Sequence, residues 1–491
     1  MARRSWRNFD YLMLLGLVVL AAFGVVMIYS ATINTYGLDN PVQRQIVFAG
    51  VGLVILLVTA SIDYRLLDIV QHPISVLAPL VLALGDAVLV ISWHMNQAGA
   101  LPASPSLQMF RPDLAPMAVG AVLVLVVYML DRSWIERLDL PLQRTLVVVA
   151  VVLMAGAAYV ALHRVTGGAV ESLTPYVLVG GLAVVYLIDC LTLRFTDTLR
   201  NPLYVLMLGV LGIVFVIGQV SGGAQRWLGA GAIQPSELSK IMVIIVLAKF
   251  LEDREEGGDR FSTIITSLGL VGVPMILIYL QPDLGTALSL VAIWFAMIWM
   301  AGIRFRYLLL LIGGGVAALP LVWMNLEEYM QKRLLLFINP NSDPDSYFNV
   351  HQALVSIGSG GWTGKGLTHG TQSQLHFLRV RHTDFIFAVT AEELGFLGAV
   401  AMIGLIFFLL WRMLHIAGQA RDTFGRLLVS GIAGLIFFQS AINIGMNLGL
   451  MPVTGIPLPF VSYGGSSFLT LILGVGLVES VAMRHKKLEF D

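Results

Sequence analysis

The chain has 491 residues, 57% hydrophobic and only 12% charged, with a mean hydropathy of +0.83. Soluble domains carry about a quarter charged residues, so this composition excludes a soluble fold and indicates an integral membrane protein. Thirty basic residues balance thirty acidic ones, which argues against nucleic acid or a strongly acidic partner, and the single cysteine, Cys190, allows no internal disulfide.

A spanning helix needs roughly 20 mostly apolar residues. The first such stretch, 10–30, follows Arg3, Arg4 and Arg7. It is longer than a signal-peptide apolar region and reads as an uncleaved helix. Further spans are predicted at 44–61, 74–93, 114–131, 145–163, 174–193, 203–221, 237–251, 262–281, 285–301, 307–325, 385–411, 427–448 and 465–483. The fold expected is an all-α polytopic membrane protein of about fourteen transmembrane helices, with a large outer loop before the twelfth. An even number of spans puts both termini on one side. The lysines and arginines, concentrated in segments such as 132–144, 194–200, 254–260, 304–306, 412–426 and 484–487, make that side cytoplasmic.

Arg44, Arg111, Arg164 and Arg226 fall at short outer loops, and Lys240 falls within a helix. Lys332, Arg333, Lys365, Arg379 and Arg381 break the orientation rule together, in the outer loop 326–384. They point to an anionic ligand on the outer face, although the ordinary surface charge of a long loop explains them equally well. His351, His369, His376 and His382 lie in the same loop without the spacing of a zinc site. The segment "GSGGWTGKG" (358–366) is not a Walker A loop, because Ser359 stands where glycine is needed and Gly366 where serine or threonine is.

Two segments share one design. "QPSELSK" (234–240) and "QPDLGTA" (281–287) each open a span with proline and an acid, which suits the first turn and positive end of a helix. Capping is therefore the simplest role for Glu237 and Asp283 taken singly. Lys240, three residues after Glu237, shares its face. A Lys–Glu pair one turn into a membrane helix is costly unless it lines a wet cavity or pairs well. Exposed N–H groups at both helix starts are suited to phosphate oxygens. Glu392 and Glu393 are further intramembrane acids, with helix–helix hydrogen bonding as their simplest role. The connection "NLGLMPVTGIPLPFVSYGGSS" (447–467) cannot be helical throughout, because Pro452, Pro457 and Pro459 lack N–H donors. Irregular backbone at membrane depth must lie against protein or water, so this segment is expected to wall a cavity, with Ser462, Tyr463, Ser466 and Ser467 as its polar contacts.

Taken together, "RWLGAGAIQPSELSK", "QPDLGTA", "SIGSGGWTGKGLTHGTQSQLHFL", "HTDFIFAVTAEELGF" and "PVTGIPLPFVSYGGSS" resemble the SEDS proteins (shape, elongation, division, sporulation). The "PVTGIPLPF" version is closer to the RodA elongation branch than to the FtsW division branch. The resemblance is loose over 1–70 and close over 200–487. It implies a ten-helix core in a single membrane domain over 1–491, with four extra transmembrane helices inserted over 70–200. It also implies a peptidoglycan glycosyltransferase that polymerises lipid II on the outer face and pairs with a class B penicillin-binding protein, the transpeptidase. On that resemblance the catalytic aspartate of the loop 326–384 is Asp384. The conserved Glu–Lys pair is Glu237 and Lys240, the arginine before it Arg226, and the second Gln-Pro-acid motif contains Asp283. Arg379 and Val380 depart from the proline and glutamate usual in the family.

The chemistry explains the outer charge. The leaving group, undecaprenyl pyrophosphate, is anionic, and cations at the outer mouth would stabilise it. Arg226, Glu237, Lys240, Asp283, Arg333, Lys365, Arg381, His382 and Ser462 are the candidates to bind pyrophosphate or sugar. Asp384 would take the proton of the acceptor hydroxyl, and in-line attack would invert the anomeric centre. A divalent cation, magnesium or manganese, could supplement the basic residues, but the sequence shows no dedicated metal site. Aspartate is also a favoured N-cap, so Asp384 could instead cap the helix that follows. A lipid II flippase and a non-catalytic cell-wall scaffold are the alternative functions.

Overall fold

The computed structural model describes residues 6–33, 40–70, 201–217, 219–221, 224–227, 234–254, 261–302, 328–339, 344–375 and 380–484, with 377, 378 and scattered positions between 306 and 326. The four spans predicted between 74 and 193 lie outside the described residues, as do His376 and Arg379.

The helices are α1 (Tyr11–Thr32), α2 (Pro41–Ser61), α3 (Arg65–Val70), α4 (Pro202–Ile217), α5 (Pro235–Glu252), α6 (Phe261–Leu280) and α7 (Leu284–Met300). They continue with α8 (Glu328–Ile338), α9 (Pro344–Ser359), α10 (Thr371–Gln374), α11 (Ile386–Gln419), α12 (Thr423–Asn447) and α13 (Gly465–Ala482). Among the described residues, α1, α2, α6, α11, α12 and α13 are long and apolar enough to cross a membrane, and α7 is a shorter apolar helix.

One expectation is corrected. The span predicted at 203–221 stops at Ile217, and β1 (Gln219–Ser221) pairs antiparallel with β2 (Ala224–Trp227). Among the described residues the fold is thus helical with one small hairpin, because the polar residues around 219–226 have no place in an apolar helix. The described residues of the outer loop 326–384 include α8, α9 and α10. Helices of this length fall below the span rule, so the hydropathy of the loop did not reveal them.

The chain divides into two compact units, one of residues 1–67, 251–259 and 284–491, the other of 68–250 and 260–283. In the first, α2 packs along α13, α11 and α7 pack on α12, α1 packs on α11, and α9 lies against both α11 and α12. Small residues permit these approaches. A Cβ on Gly476 of α13 would stand 2.9 Å from Thr59 Cβ and 3.1 Å from Leu56 O of α2. At one end of this unit, Asp10 caps α1 by accepting from Met13 N (3.0 Å) and pairs with Arg412, while its own N–H donates to the buried Glu479 (3.1 Å). Asp422 likewise caps α12 through Gly425 N (2.8 Å) and accepts from Tyr64 (2.8 Å) and Arg65 (3.2 Å). In the second unit, α4 packs on α6, with Tyr204 Oη donating to Leu270 O (2.8 Å).

Helix α11 has 34 residues, about 51 Å at 1.5 Å per residue, longer than the ~30 Å hydrocarbon core. It is broken at Gly395 (φ 68°, ψ −165°). Phe396 and Leu397 cannot then donate to the carbonyls of Glu392 and Glu393 four residues back. The glycine-rich segment 358–366 makes good the loss. Lys365 N and Gly366 N donate to Glu392 O (3.1 Å) and Glu393 O (2.9 Å), while Phe396 N and Leu397 N donate to Gly361 O (2.8 Å) and Trp362 O (3.1 Å). Four freed groups find four partners, as irregular backbone at such depth requires. Gly364 (φ 78°) allows the approach, since a Cβ there would lie 2.1 Å from Glu393 O.

Candidate active site

Asp384 lies in the turn 380–385 that leads into α11. Each of three consecutive carbonyls in that turn is held from outside it. His382 O accepts from Tyr463 N (3.0 Å), and Thr383 O accepts from Ser462 Oγ (2.6 Å). Asp384 O accepts from the side-chain amides of Asn443 (3.2 Å) and Asn447 (3.0 Å), both fully buried on α12. The irregular connection 448–464 forms one wall of the site, as expected from its prolines. Its backbone is satisfied against protein: Ile456 O accepts from Asn443 (2.9 Å) and Val453 O from Arg333 of α8 (3.3 Å).

The carboxylate of Asp384 faces this wall at Gly455. A Cβ on Gly455 would stand 4.0 Å from Asp384 Oδ2, an ordinary contact distance, so the backbone angle of φ 74° rather than lack of space calls for glycine. Half-burial raises the Asp384 pKa above the ordinary aspartate range, opposed by a hydrogen bond from Thr383 and by the charge of Arg333. Such a carboxylate is a better proton acceptor than an exposed one. Burial, and then the neighbouring Arg381 charge, lower the His382 pKa, so its imidazole is neutral at pH 7. Its ring packs against Tyr463, with centroids 5.8 Å apart. The N-cap of α11 is Phe385, with no side-chain capping bond, so Asp384 is not spent on capping that helix.

The predicted residues therefore separate into groups. Asp384, His382, Ser462 and Arg333 come together around the turn. Ser462 Oγ serves the backbone twice, donating to Thr383 O and accepting from Leu458 N (2.8 Å). Arg381 is buried, and its Nε donates to Ala31 O at the C-terminal end of α1, a favourable place for a cation. Lys365 pairs with the fully buried Glu392 (3.0 Å) and donates to Thr371 (2.7 Å). Glu392 also accepts from the N–H groups of Gln372 (2.8 Å) and Ser373 (3.0 Å), anchoring α10, and Glu393 accepts from Ser30. The two glutamates thus tie the outer segment to α11 and α1, a larger role than pairing between helices.

In the second unit, Lys240 Nζ lies 2.8 Å from Glu237 Oε1, with side chains only 1% and 7% exposed, the pair their spacing predicts. Gln234 Nε2 donates to Asp283 Oδ2 (3.0 Å), joining the two Gln-Pro motifs. Arg226 lies on β2. Asn443 and Asn447 escaped the sequence reading. The available signal was two amides four residues apart on an apolar helix, which share a face and must find partners. Among the described residues no group of three His, Cys, Asp or Glu side chains could hold a metal ion, so they offer no ready-made divalent-cation site.

Residues 137–487 match the family described as "Cell cycle protein", comprising FtsW, RodA and SpoVE. The match begins inside the segment 70–200 expected as an insertion. The chain is 38% identical over 312 residues to the peptidoglycan glycosyltransferase MrdB of Escherichia coli K12, covering 63% of this chain and 84% of that one. It is 40% identical over 278 residues to stage V sporulation protein E of Bacillus subtilis, covering 56% and 75%. The crystal structure of Thermus thermophilus rod shape determining protein RodA is similar at 32% identity, covering 70% of this chain and 97% of that one with a TM-score of 0.42. This chain belongs to the FtsW/RodA/SpoVE family, the SEDS proteins that its motifs resemble.

Proposed function

We propose that this protein is a peptidoglycan glycosyltransferase that transfers a growing lipid-linked glycan chain onto lipid II at the outer face of the cytoplasmic membrane, serving cell shape and elongation. The observation that carries the mechanism is the half-buried Asp384 carboxylate, set in a turn whose three carbonyls are all held and facing Arg333. Asp384 takes the proton of the acceptor sugar hydroxyl as that oxygen attacks the anomeric carbon. The bond to undecaprenyl pyrophosphate breaks and the configuration inverts. Arg333, an exposed cation of α8, balances negative charge at this mouth. The bond to the pyrophosphate supplies the driving force, so no nucleotide is needed.

The Glu237–Lys240 pair and Asp283 are assigned to positioning the pyrophosphate or sugar, with Arg226 as a further cation. Both termini are assigned to the cytoplasm on the distribution of basic residues. External labelling of a cysteine at Arg426 would overturn that orientation. The family resemblance supports a class B penicillin-binding protein as the partner that cross-links the product, and helices within 70–200 as additions to the ten-helix core.

The test is Asp384→Asn, assayed by gel for polymerisation of lipid II by purified protein. Asparagine cannot accept the proton at neutral pH, and a general base contributes about 10²–10⁴-fold in rate. The variant is expected to fold and to polymerise at least about a hundredfold more slowly. Near-normal polymerisation would remove Asp384 from the chemistry and return the flippase and scaffold functions to consideration.

A further inference from the structure

In an uninterrupted helix Ala388 N would donate to Asp384 O, four residues back. That bond is intercepted. Ala388 N donates instead to Asn447 Oδ1 (3.2 Å), while Asp384 O accepts from Asn447 Nδ2 (3.0 Å). One carboxamide of α12 has inserted itself between the two groups, and the first backbone bond of α11 is Val389 N to Phe385 O (3.2 Å). Asn443 reinforces the insertion. Its amide donates to Asp384 O (3.2 Å) and to Ile456 O of the wall (2.9 Å), and Asn447 donates to Asn443 O (2.8 Å). Both asparagines are fully buried, and their hydrogen-bonding groups converge on the turn and the wall opposite it.

We propose that Asn447, supported by Asn443, is a positioning residue that holds Asp384 out of α11 so that its carboxylate faces the acceptor. The proposal rests on Asp384 being the base. Without the inserted amide, Ala388 N and Asp384 O would satisfy each other directly. Helix α11 would start one residue earlier, and the Asp384 side chain would swing with it. The fold loses little by this exchange, since neither backbone group is stranded. Among the described residues, the charged or titratable groups identified at the turn are Arg333 from α8, Arg381 and His382 from the turn itself, and Tyr463 from the wall. Helix α12 contributes only the two amides.

The experiment measures kcat, KM and the pH dependence of lipid II polymerisation for full-length Asn447→Ala and Asn443→Ala. A displacement of about 1 Å at a reacting group costs about a hundredfold in rate, so Asn447→Ala should lower kcat by about that factor. KM should stay within about threefold, because the loss is confined to the transition state. The acid limb of the profile should move to lower pH as the displaced carboxylate becomes better hydrated. Asn443→Ala, which keeps the Asn447 amide on Asp384, should lose about tenfold, a smaller displacement on the same scale. Unchanged kcat and an unmoved acid limb in Asn447→Ala would overturn the proposal. If Asn447→Ala does not fold, the same result in Asn443→Ala overturns it. Failure of both to fold would assign the pair to stability and equally overturn it. Full activity of Asp384→Asn would instead refute the base assignment, whatever the asparagine variants do.

Discussion

Lys240→Met removes the positive half of the most deeply buried ion pair described in the chain. The Lys240 and Glu237 side chains are 1% and 7% exposed, and Nζ lies 2.8 Å from Glu237 Oε1. The second oxygen of that carboxylate, Oε2, has no hydrogen-bond partner among the described residues. Lys240 therefore supplies the side-chain bond that compensates the Glu237 charge, and removing it leaves a carboxylate buried and unanswered. Breaking such a pair costs about 3–5 kcal/mol. At about 1.4 kcal/mol per decade, this lowers the ratio of folded to unfolded protein by about two to three and a half orders of magnitude. Thermal and denaturant unfolding in detergent would measure the loss. The informative arm is the double variant Glu237→Gln with Lys240→Met. Replacing a buried pair by neutral groups of similar size is often neutral or stabilising, so the double variant should recover most of the stability, with a coupling of about 2–4 kcal/mol. It should not recover polymerisation if the charges hold the pyrophosphate. A single variant as stable as the wild type, or a double variant less stable than the single, would refute the reasoning.

Gly364→Ala would place a methyl group 2.1 Å from Glu393 O at a backbone angle of φ 78°. The left-handed penalty of about 1–2 kcal/mol and one or two stranded buried groups at about 1–3 kcal/mol each predict a loss of about 2–8 kcal/mol. Gly404→Ala, also on α11 but with nothing within 4 Å, should be neutral or stabilising by about 0.5–1 kcal/mol, and paired melting curves would compare the two. Asp384→Asn has a second consequence. Because burial raises the folded-state pKa of Asp384, its contribution to stability is full below the unfolded aspartate pKa and is lost as pH rises through the folded value. The asparagine variant should therefore melt higher than wild type at pH 7, and the difference should shrink to nothing in acid; an equal difference at both pH values would show that its origin is not ionisation.

The parts of this protein legible in the sequence are those set by local rules. Hydropathy located α1, α2, α6, α12 and α13 because lipid demands an unbroken apolar length, whatever the neighbours are. The Glu237–Lys240 pair was legible because a spacing of three places two side chains on one helical face. The prolines of 452–459 foretold an irregular wall because they remove backbone donors. Asp384 stood out through its charged neighbours and the motif around it. What the sequence left open was settled by pairing between distant segments. Gly395 resembles any glycine in an apolar run until the backbone of 361–366 exchanges hydrogen bonds with the carbonyls it frees. Lys365 and Arg381 carry charges suited to a pyrophosphate, yet Lys365 answers Glu392 and Arg381 answers the end of α1, 350 positions away. Asn443 and Asn447 lie some 60 positions from Asp384, and their spacing of four shows that they share a face but not which groups they serve. A buried polar group must be satisfied, but its own type does not say by whom. Only the packing of α1, α11, α12 and the irregular connection decides which donor meets which acceptor, and hence which charges remain for the substrate.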